Sequence, residues 1–278
     1  MGNEWLQAIF LGIIQGLTEY LPVSSSGHVR ITSAFLGMND PGAAFTAVTQ
    51  LGTALAVGIY FRSDLLSMST ATLKRIRKSD LSENEIQNFK LVKMVLLATV
   101  PISIIGLIFS DFIETDARDL RLVAFTLIFF GLILWLVDKY SLANKSEQEF
   151  KLSHALMVGF AQTLALIPGV SRSGATISMA RFLGFDRVVA ARLSFLLSMP
   201  AIYLSAFYEM RLIGENSQFG WESTILATAM AFMVGYITIA FLLRFLIRHT
   251  FGVFAAYRVI LGLGVLAGIY FFDVSYLN

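Results

Sequence analysis

Two short polar clusters interrupt the apolar stretches of this chain, and they hold the side chains best equipped for chemistry. The first contains Gln15, Glu19, Ser24, Ser25, Ser26 and His28. The second contains Ser171, Arg172 and Ser173, set between Pro168-Gly169 and Gly174. Glu19 follows Gln15 by four residues, so the two share a helical face. A charged group at membrane depth costs roughly 2.5–3.5 kcal/mol on insertion scales. Glu19 is therefore either functional or a polar contact gluing two helices. Ser24-Ser25-Ser26-Gly27 follows Pro22 and precedes an apolar run, so Ser24 or Ser25 is expected as a helix N-cap. The free N–H groups and positive dipole end of such a helix attract an anion, and the hydroxyls add donors. His28 lies one turn further on. It is structural, or it serves as base, acid or nucleophile near neutral pH. Arg172 has few structural partners in a Pro-Gly-Ser turn, and its guanidinium suits bidentate phosphate binding. An ion pair with Glu19 is the competing assignment. The expected chemistry is phosphate recognition, with Ser24, Ser26, Ser171, Arg172 and Ser173 as ligands of the anion.

The elements that carry these clusters belong to a membrane protein. Of the 278 residues, 56% are hydrophobic and only 14% charged, with a mean hydropathy of +0.71. Soluble domains are usually about 25% charged. A net charge of +2 is too small to suggest nucleic acid. With no cysteine, disulfides, thiolate metal sites and cysteine nucleophiles are excluded. The first apolar run, Trp5 to Thr18, lacks a basic flank and contains Gln7 and Gln15, so no cleavable signal peptide is expected. Residues 42–61, 92–110, 121–137, 191–208, 223–243 and 252–272 are apolar enough to span a bilayer. Residues 5–37 and 152–184 are each broken near the middle by Pro, Gly and Ser. Half-length helices would leave backbone groups unsatisfied in lipid, so each pair is expected to be buried as a re-entrant helix-turn-helix.

The two clusters are also copies of one another. Gly12–Gly27 reads GIIQGLTEYLPVSSSG and Gly159–Gly174 reads GFAQTLALIPGVSRSG. At an offset of 147, Gly, Gln, Leu, Val, Ser, Ser and Gly coincide, and Phe35-Leu36-Gly37 pairs with Phe182-Leu183-Gly184. Arg172 takes the place of Ser25. This indicates an internal duplication within one membrane domain, residues 1–278, with repeats at 1–140 and 150–278. Three full spans per copy would turn the second copy upside down and bring the turns together near the bilayer midplane. The expected fold is thus an all-α integral membrane protein with six transmembrane helices, two re-entrant pairs and an inverted-topology repeat. Basic residues in the loop 63–91, in 139–151 and in 244–249 place these on the cytoplasmic side. The segment 111–121, with four acids, and the acidic segment 209–222 fall outside, as do both termini.

Other polar residues are weaker candidates. Gln50 and Gln162 either line the cavity or bond neighbouring helices. Arg181, Arg187 and Arg192 read as headgroup contacts or positive-inside anchors. Tyr257-Arg258 reads as an interfacial anchor.

The segments QGLTEYLPVSSSGH (15–28) and PGVSRSGATIS (168–178) closely resemble the two signature motifs of the undecaprenyl-pyrophosphate phosphatase family, also known for bacitracin resistance. QLGTALAV (50–57), RLSFLLSMP (192–200) and FGVFAAYRVILG (251–262) resemble further family blocks. The resemblance implies hydrolysis of undecaprenyl diphosphate to the monophosphate carrier used in cell-wall synthesis, with a divalent cation, Mg²⁺ or Ca²⁺. It implies a multi-pass protein of the bacterial plasma (inner) membrane, whose site opens to the outer face. The partners are then a polyprenyl diphosphate lipid and membrane lipids, and a homodimer is one admissible assembly. Many members carry a second glutamate where this chain has Gln15, so metal binding would rest on Glu19 and the substrate's phosphates. The expected mechanism has Arg172 and the helix N-termini holding the terminal phosphate while Ser25, activated by His28, attacks phosphorus. In the alternative, His28 or Glu19 activates water. A lipid flippase is the rival reading, since inverted repeats with broken helices are common in transporters.

Overall fold

The computed structural model describes residues 2–110, 118–213, 219–272 and 274. Most of the acidic segment 111–121 and part of 209–222 lie outside the described residues. Eleven α-helices and no β-strand occur among the described residues: α1 (Gly2–Thr18), α2 (Ser25–Phe35), α3 (Gly42–Tyr60), α4 (Arg62–Ile76), α5 (Glu83–Ile108), α6 (Leu120–Tyr140), α7 (Leu152–Thr163), α8 (Arg172–Phe182), α9 (Arg187–Glu209), α10 (Trp221–Leu246) and α11 (Gly252–Phe271). Six helices are long and apolar enough to cross a membrane: α3, α5, α6, α9 with its following turn, α10 and α11. Each matches one of the six stretches expected from sequence.

The helices that carry the two turns are shorter. α2 and α8 have 11 residues each, about 16 Å at the usual rise, or roughly half a bilayer core. Their first residues, Ser25 and Arg172, and their last, Phe35 and Phe182, are all 147 apart. Their N-caps are Ser24 (φ 76°) and Ser171 (φ 74°), and these hydroxyls accept from the N–H of Gly27 at 3.3 Å and Gly174 at 3.0 Å. A non-glycine residue at positive φ is strained by about 1 kcal/mol or more, so the surroundings must hold it. Here the capping bond does so, at both copies.

Helices of the two halves interlock. α1 packs on α10, and α7 packs on α5. Gly12 on α1 lies against the Ala227 backbone, and Gly159 on α7 lies against the Ala98 backbone, so close that a Cβ at either position would overlap it. Small residues at crossings let membrane helices approach to van der Waals distance, which drives their association in lipid.

Two expectations change. The stretch 63–91, expected as a loop, is mostly helical, folded as α4 and the start of α5. Ser82 and Glu85 form a capping box on α5, Lys74 reaches Glu85 at 2.6 Å, and Met68 and Ala71 are buried. Nor are Arg181 and Arg187 lipid-facing anchors. Both pair with Asp138 at the end of α6, at 3.0 and 2.8 Å, and Asp138 also accepts from the Phe251 N–H. Arg192 pairs with Asp64 and Glu147. Carboxylates distant in sequence answer these cations, and the local pattern holds no trace of them.

Candidate active site

The two serine-rich turns meet inside the bundle. Ser24 Oγ accepts from the Gly169 N–H at 3.1 Å, and Ser173 Oγ reaches the carbonyls of Glu19 and Leu21 at 3.2 and 3.0 Å. Thr126 of α6 braces the second turn through the Pro168 carbonyl at 2.9 Å.

Glu19 stands at the centre of the junction. It follows the last turn of α1, its N–H still bonded to the Gln15 carbonyl. Its Oε2 accepts from Gln15 Nε2 and from Ser25 Oγ, both at 2.6 Å. Its Oε1 accepts from Arg172 Nη2 at 2.8 Å, and the same nitrogen donates to Gln50 Oε1 at 2.8 Å. The Glu19 side chain is 3% exposed and that of Arg172 is 14% exposed. Both face a cavity of about 420 Å³. Ser24, Ser25, Ser26, Ser171 and Gln50 also line it, and α3, α5 and α9 supply apolar walls through residues such as Ala47, Ile102, Leu107, Ala201 and Leu204. A hydroxyl hydrogen-bonded to a carboxylate, beside a guanidinium and the first turns of two helices, can activate a nucleophile next to an anion.

Several expected residues stand elsewhere. His28 does not touch Ser25. Its Nδ1 lies 2.7 Å from the Ser24 carbonyl and its Nε2 lies 2.7 Å from Tyr257 Oη. A carbonyl only accepts, so Nδ1 carries a hydrogen, and in the neutral ring Nε2 takes the tyrosine's proton bond. Both ring nitrogens are thus occupied, and Glu19 stands where His28 was expected. Ser173 is buried, with its hydroxyl on backbone carbonyls rather than on the cavity wall. Gln162 is fully buried and its amide has no hydrogen-bond partner, so it bridges no helices and lines no part of this cavity. Gln15 reaches the site only through Glu19.

The cavity also holds residues that sequence reasoning passed over: Thr46, Ser103, Ser205, Tyr208, Glu209 and Arg118. Arg118 is bound to Asp40 by two hydrogen bonds, and Arg30 approaches the same carboxylate at 3.4 Å. Burial pushes the Asp40 carboxyl up. The hydrogen bond and charge of Arg118, with the Gly42 N–H and Arg30, outweigh it and hold the group below the usual carboxylate range. Arg258 is the larger omission. Expected as an interfacial anchor, it is fully buried behind both turns. A lone cation in an apolar span was the available signal, the same one that singled out Glu19.

Among the described residues, no group of three or more His, Asp or Glu side chains gathers to hold a metal. The donors around Glu19 are nevertheless all oxygen: its carboxylate, Ser25 Oγ, Gln50 Oε1, and Gln15 Oε1, which is buried without a partner. Such a set fits Mg²⁺ or Ca²⁺ held by one carboxylate, with phosphate oxygens and water completing the shell.

Comparison with known proteins gives the chain a family. The model of the family described as bacitracin resistance protein BacA matches residues 8–264. The chain belongs to this family. An undecaprenyl-diphosphatase of Thermobifida fusca (strain YX) is 45% identical over 262 residues, covering 94% of this chain and 89% of the relative. An undecaprenyl-diphosphatase of Mycolicibacterium smegmatis is 45% identical over 268 residues, covering 95% and 96%. An undecaprenyl-diphosphatase 2 of Agrobacterium fabrum is 44% identical over 274 residues, covering 96% of each. The BacA match takes in both serine-rich turns, the three cavity-wall helices and Arg258. The match also takes in the three further blocks, 50–57, 192–200 and 251–262, on which the resemblance was drawn along the chain.

Proposed function

We propose that this protein is a membrane phosphatase that hydrolyses undecaprenyl diphosphate to undecaprenyl phosphate and inorganic phosphate. The activity would recycle the lipid carrier for cell-wall synthesis and give resistance to bacitracin. The carrying observation is the contact between Ser25 and Glu19, beside Arg172, in a cavity with apolar walls. The names of the relatives point the same way.

The mechanism follows from the contacts. Arg172 leaves Glu19 for the terminal phosphate when substrate enters, since a doubly charged anion outcompetes a single carboxylate for the fork. Glu19, freed of its cation, becomes the stronger base toward Ser25. Ser25 Oγ forms the bond to the terminal phosphorus, its proton passes to Glu19, and the bridging P–O bond breaks to release undecaprenyl phosphate. Water then attacks the phosphoserine: the Ser25 Oγ–P bond breaks as Oγ takes back its proton from Glu19, the carboxylate so freed accepts the water's proton, and inorganic phosphate leaves. Arg172 and the N–H groups of α2 and α8 stabilise the charge on the equatorial oxygens in both steps. In the alternative role, Glu19 would hold a divalent cation in place of serving as base, with Gln15 and Gln50 as flanking oxygens, and the cation would neutralise phosphate charge.

The architecture supports an outward-facing site. The cavity is lined by the start of α3 and the ends of α5 and α9. The positive-inside pattern supports an orientation in which these would lie on the outer side of a bacterial plasma membrane. α1 with α2, and α7 with α8, would be re-entrant pairs of two inverted repeats. Release of phosphate from a C55 diphosphate lipid by purified protein in detergent tests the reading. Release by the wild type, lost in Arg172→Ala, supports it. A folded wild type that releases none overturns it.

A further inference from the structure

Arg258 sits in α11, with none of its surface exposed. Its guanidinium meets five backbone carbonyls and no carboxylate among the described residues. Nη2 donates to Gly169 at 2.8 Å, to Val170 at 2.9 Å and to Thr126 at 3.3 Å. Nη1 donates to Pro22 at 3.2 Å and Nε to Leu127 at 3.3 Å. Three chain segments are held by one side chain: the first serine-rich turn through Pro22, the second through Gly169 and Val170, and α6 through Thr126 and Leu127. The two turns are carried by helices that start from opposite halves of the sequence. Gly174 shows how close the clamp lies to the site. A Cβ there would come within 2.6 Å of Arg258 Nη1, so the guanidinium lies directly behind the first turn of α8, which begins with Arg172.

A structural bracket does not need a charge. Among the described residues the other buried arginines do meet a carboxylate: Arg181 pairs with Asp138, and Arg30 and Arg118 share Asp40. A buried cation that only carbonyls solvate is costly, and it is retained where an anion will face it. Three of the five carbonyls that Arg258 binds, those of Pro22, Gly169 and Val170, lie just ahead of Ser24 and Ser171, the two caps that aim helix N-termini at the cavity.

We propose that Arg258 is a positioning residue for phosphoryl transfer: it locks the two serine-rich turns together and sets a permanent positive charge behind the phosphate subsite. This rests on the phosphatase reading above. Five hydrogen bonds from its three nitrogens hold Ser25 and Arg172 at the spacing the reaction needs. The charge behind them strengthens as negative charge builds on the phosphate oxygens, so its effect falls on kcat more than on KM.

The test compares Arg258→Gln, Arg258→Lys and, as the case of a paired buried arginine, Arg181→Lys. Phosphate release from the C55 diphosphate is measured per folded molecule in detergent, with thermal unfolding to count folded protein. The expected result for Arg258→Gln is a loss of about a hundredfold in kcat with KM within about threefold, roughly 2.7 kcal/mol of barrier. Arg258→Lys, which keeps the charge but not the fork, should recover about tenfold of that loss and stay about tenfold below wild type. Arg181→Lys should lower stability and leave kcat per folded molecule near wild type. A second arm uses the absence of native cysteine. Spin labels at Leu17→Cys and Leu164→Cys, exposed positions next to the two turns, should give a narrow distance distribution that Arg258→Gln broadens. Unchanged kcat in folded Arg258→Gln, or a loss confined to KM, overturns the proposal. If Arg258→Gln does not fold, the kcat and KM of Arg258→Lys decide alone: wild-type kcat overturns it. A folded wild type that releases no phosphate sinks the phosphatase reading instead, and the label distances then still report whether Arg258 holds the turns.

Discussion

Ser25 Oγ donates to Glu19 Oε2 across 2.6 Å, and Glu19 holds Arg172 through its other oxygen at 2.8 Å. One carboxylate therefore couples the hydroxyl of the first turn to the guanidinium of the second. If Ser25 is the nucleophile and Glu19 its base, Glu19→Gln and Ser25→Ala each lower kcat by about a hundredfold or more, on the order of 3 kcal/mol. Their double variant should be little worse than either alone, because residues acting as a unit are not additive. Steady-state phosphate release checks this. Additive losses would separate the two groups.

His28 is expected to matter less for chemistry than its place in the motif suggests. Its ring nitrogens are engaged by the Ser24 carbonyl and by Tyr257. His28→Ala and Tyr257→Phe should each cost about 1 kcal/mol of stability, the usual worth of a hydrogen bond. They should lower kcat by less than about tenfold, and thermal unfolding with kinetics on the same samples measures both. A His28→Ala loss as large as that of Ser25→Ala would show that the ring swings to the hydroxyl during turnover.

Asp40 gives the protein an acid-side weakness. Its carboxyl sits below the ordinary value near 3.9 because Arg118, Gly42 and Arg30 outweigh its burial. The folded value is lower than the unfolded one. The stabilisation is therefore complete above the ordinary value and is lost as pH falls through the folded value. Asp40→Asn would leave two buried guanidinia without their acid and should cost about 3–5 kcal/mol at neutral pH. It should also flatten the loss of stability on acidification. Unfolding temperatures between about pH 3 and 7 in detergent read both effects.

Gly169 tests the junction without touching the reacting groups. It has φ +91°, and an added Cβ would collide with Thr126 Oγ1 and the Val123 carbonyl. Gly169→Ala should lose more than about 3 kcal/mol or fail to fold, since positive φ and overpacking act together. Gly264, in α11, has open space around its Cβ position. Gly264→Ala should be neutral or slightly stabilising, by up to about 1 kcal/mol. Equal behaviour of the two variants would contradict the tight seam between the turns.

Removing divalent cations should separate activity from stability. With one carboxylate and no cluster of acids among the described residues, little of the folded state depends on metal. EDTA should stop phosphate release and shift the unfolding temperature by less than about 2 °C, as expected for an ion held largely by substrate oxygens. A large shift would indicate a protein-held site.

Much of this protein could be read from its sequence, because lipid makes local demands. Runs of apolar residues had to become helices, so α3, α5, α6, α9, α10 and α11 were legible with their approximate limits. Glu19 and Arg172 were legible because an uncompensated charge in such a run is expensive. The 147-residue offset showed that the two serine-rich turns match, while the choice of Ser24 over Ser25 as cap, and of Ser171 as its counterpart, came with the structure. Pairings between distant segments stayed hidden. That Glu19 rather than His28 accepts the Ser25 hydroxyl's hydrogen bond, that Tyr257 occupies the imidazole, and that Asp138 answers Arg181 depend on how helices cross. Arg258 illustrates the division. Its charge in the last span was visible, but its five partners lie on segments 88 to 236 residues away. A guanidinium reads as an anchor at the interface or a clamp at the core according to depth and neighbours, and only close packing of the whole bundle fixes those.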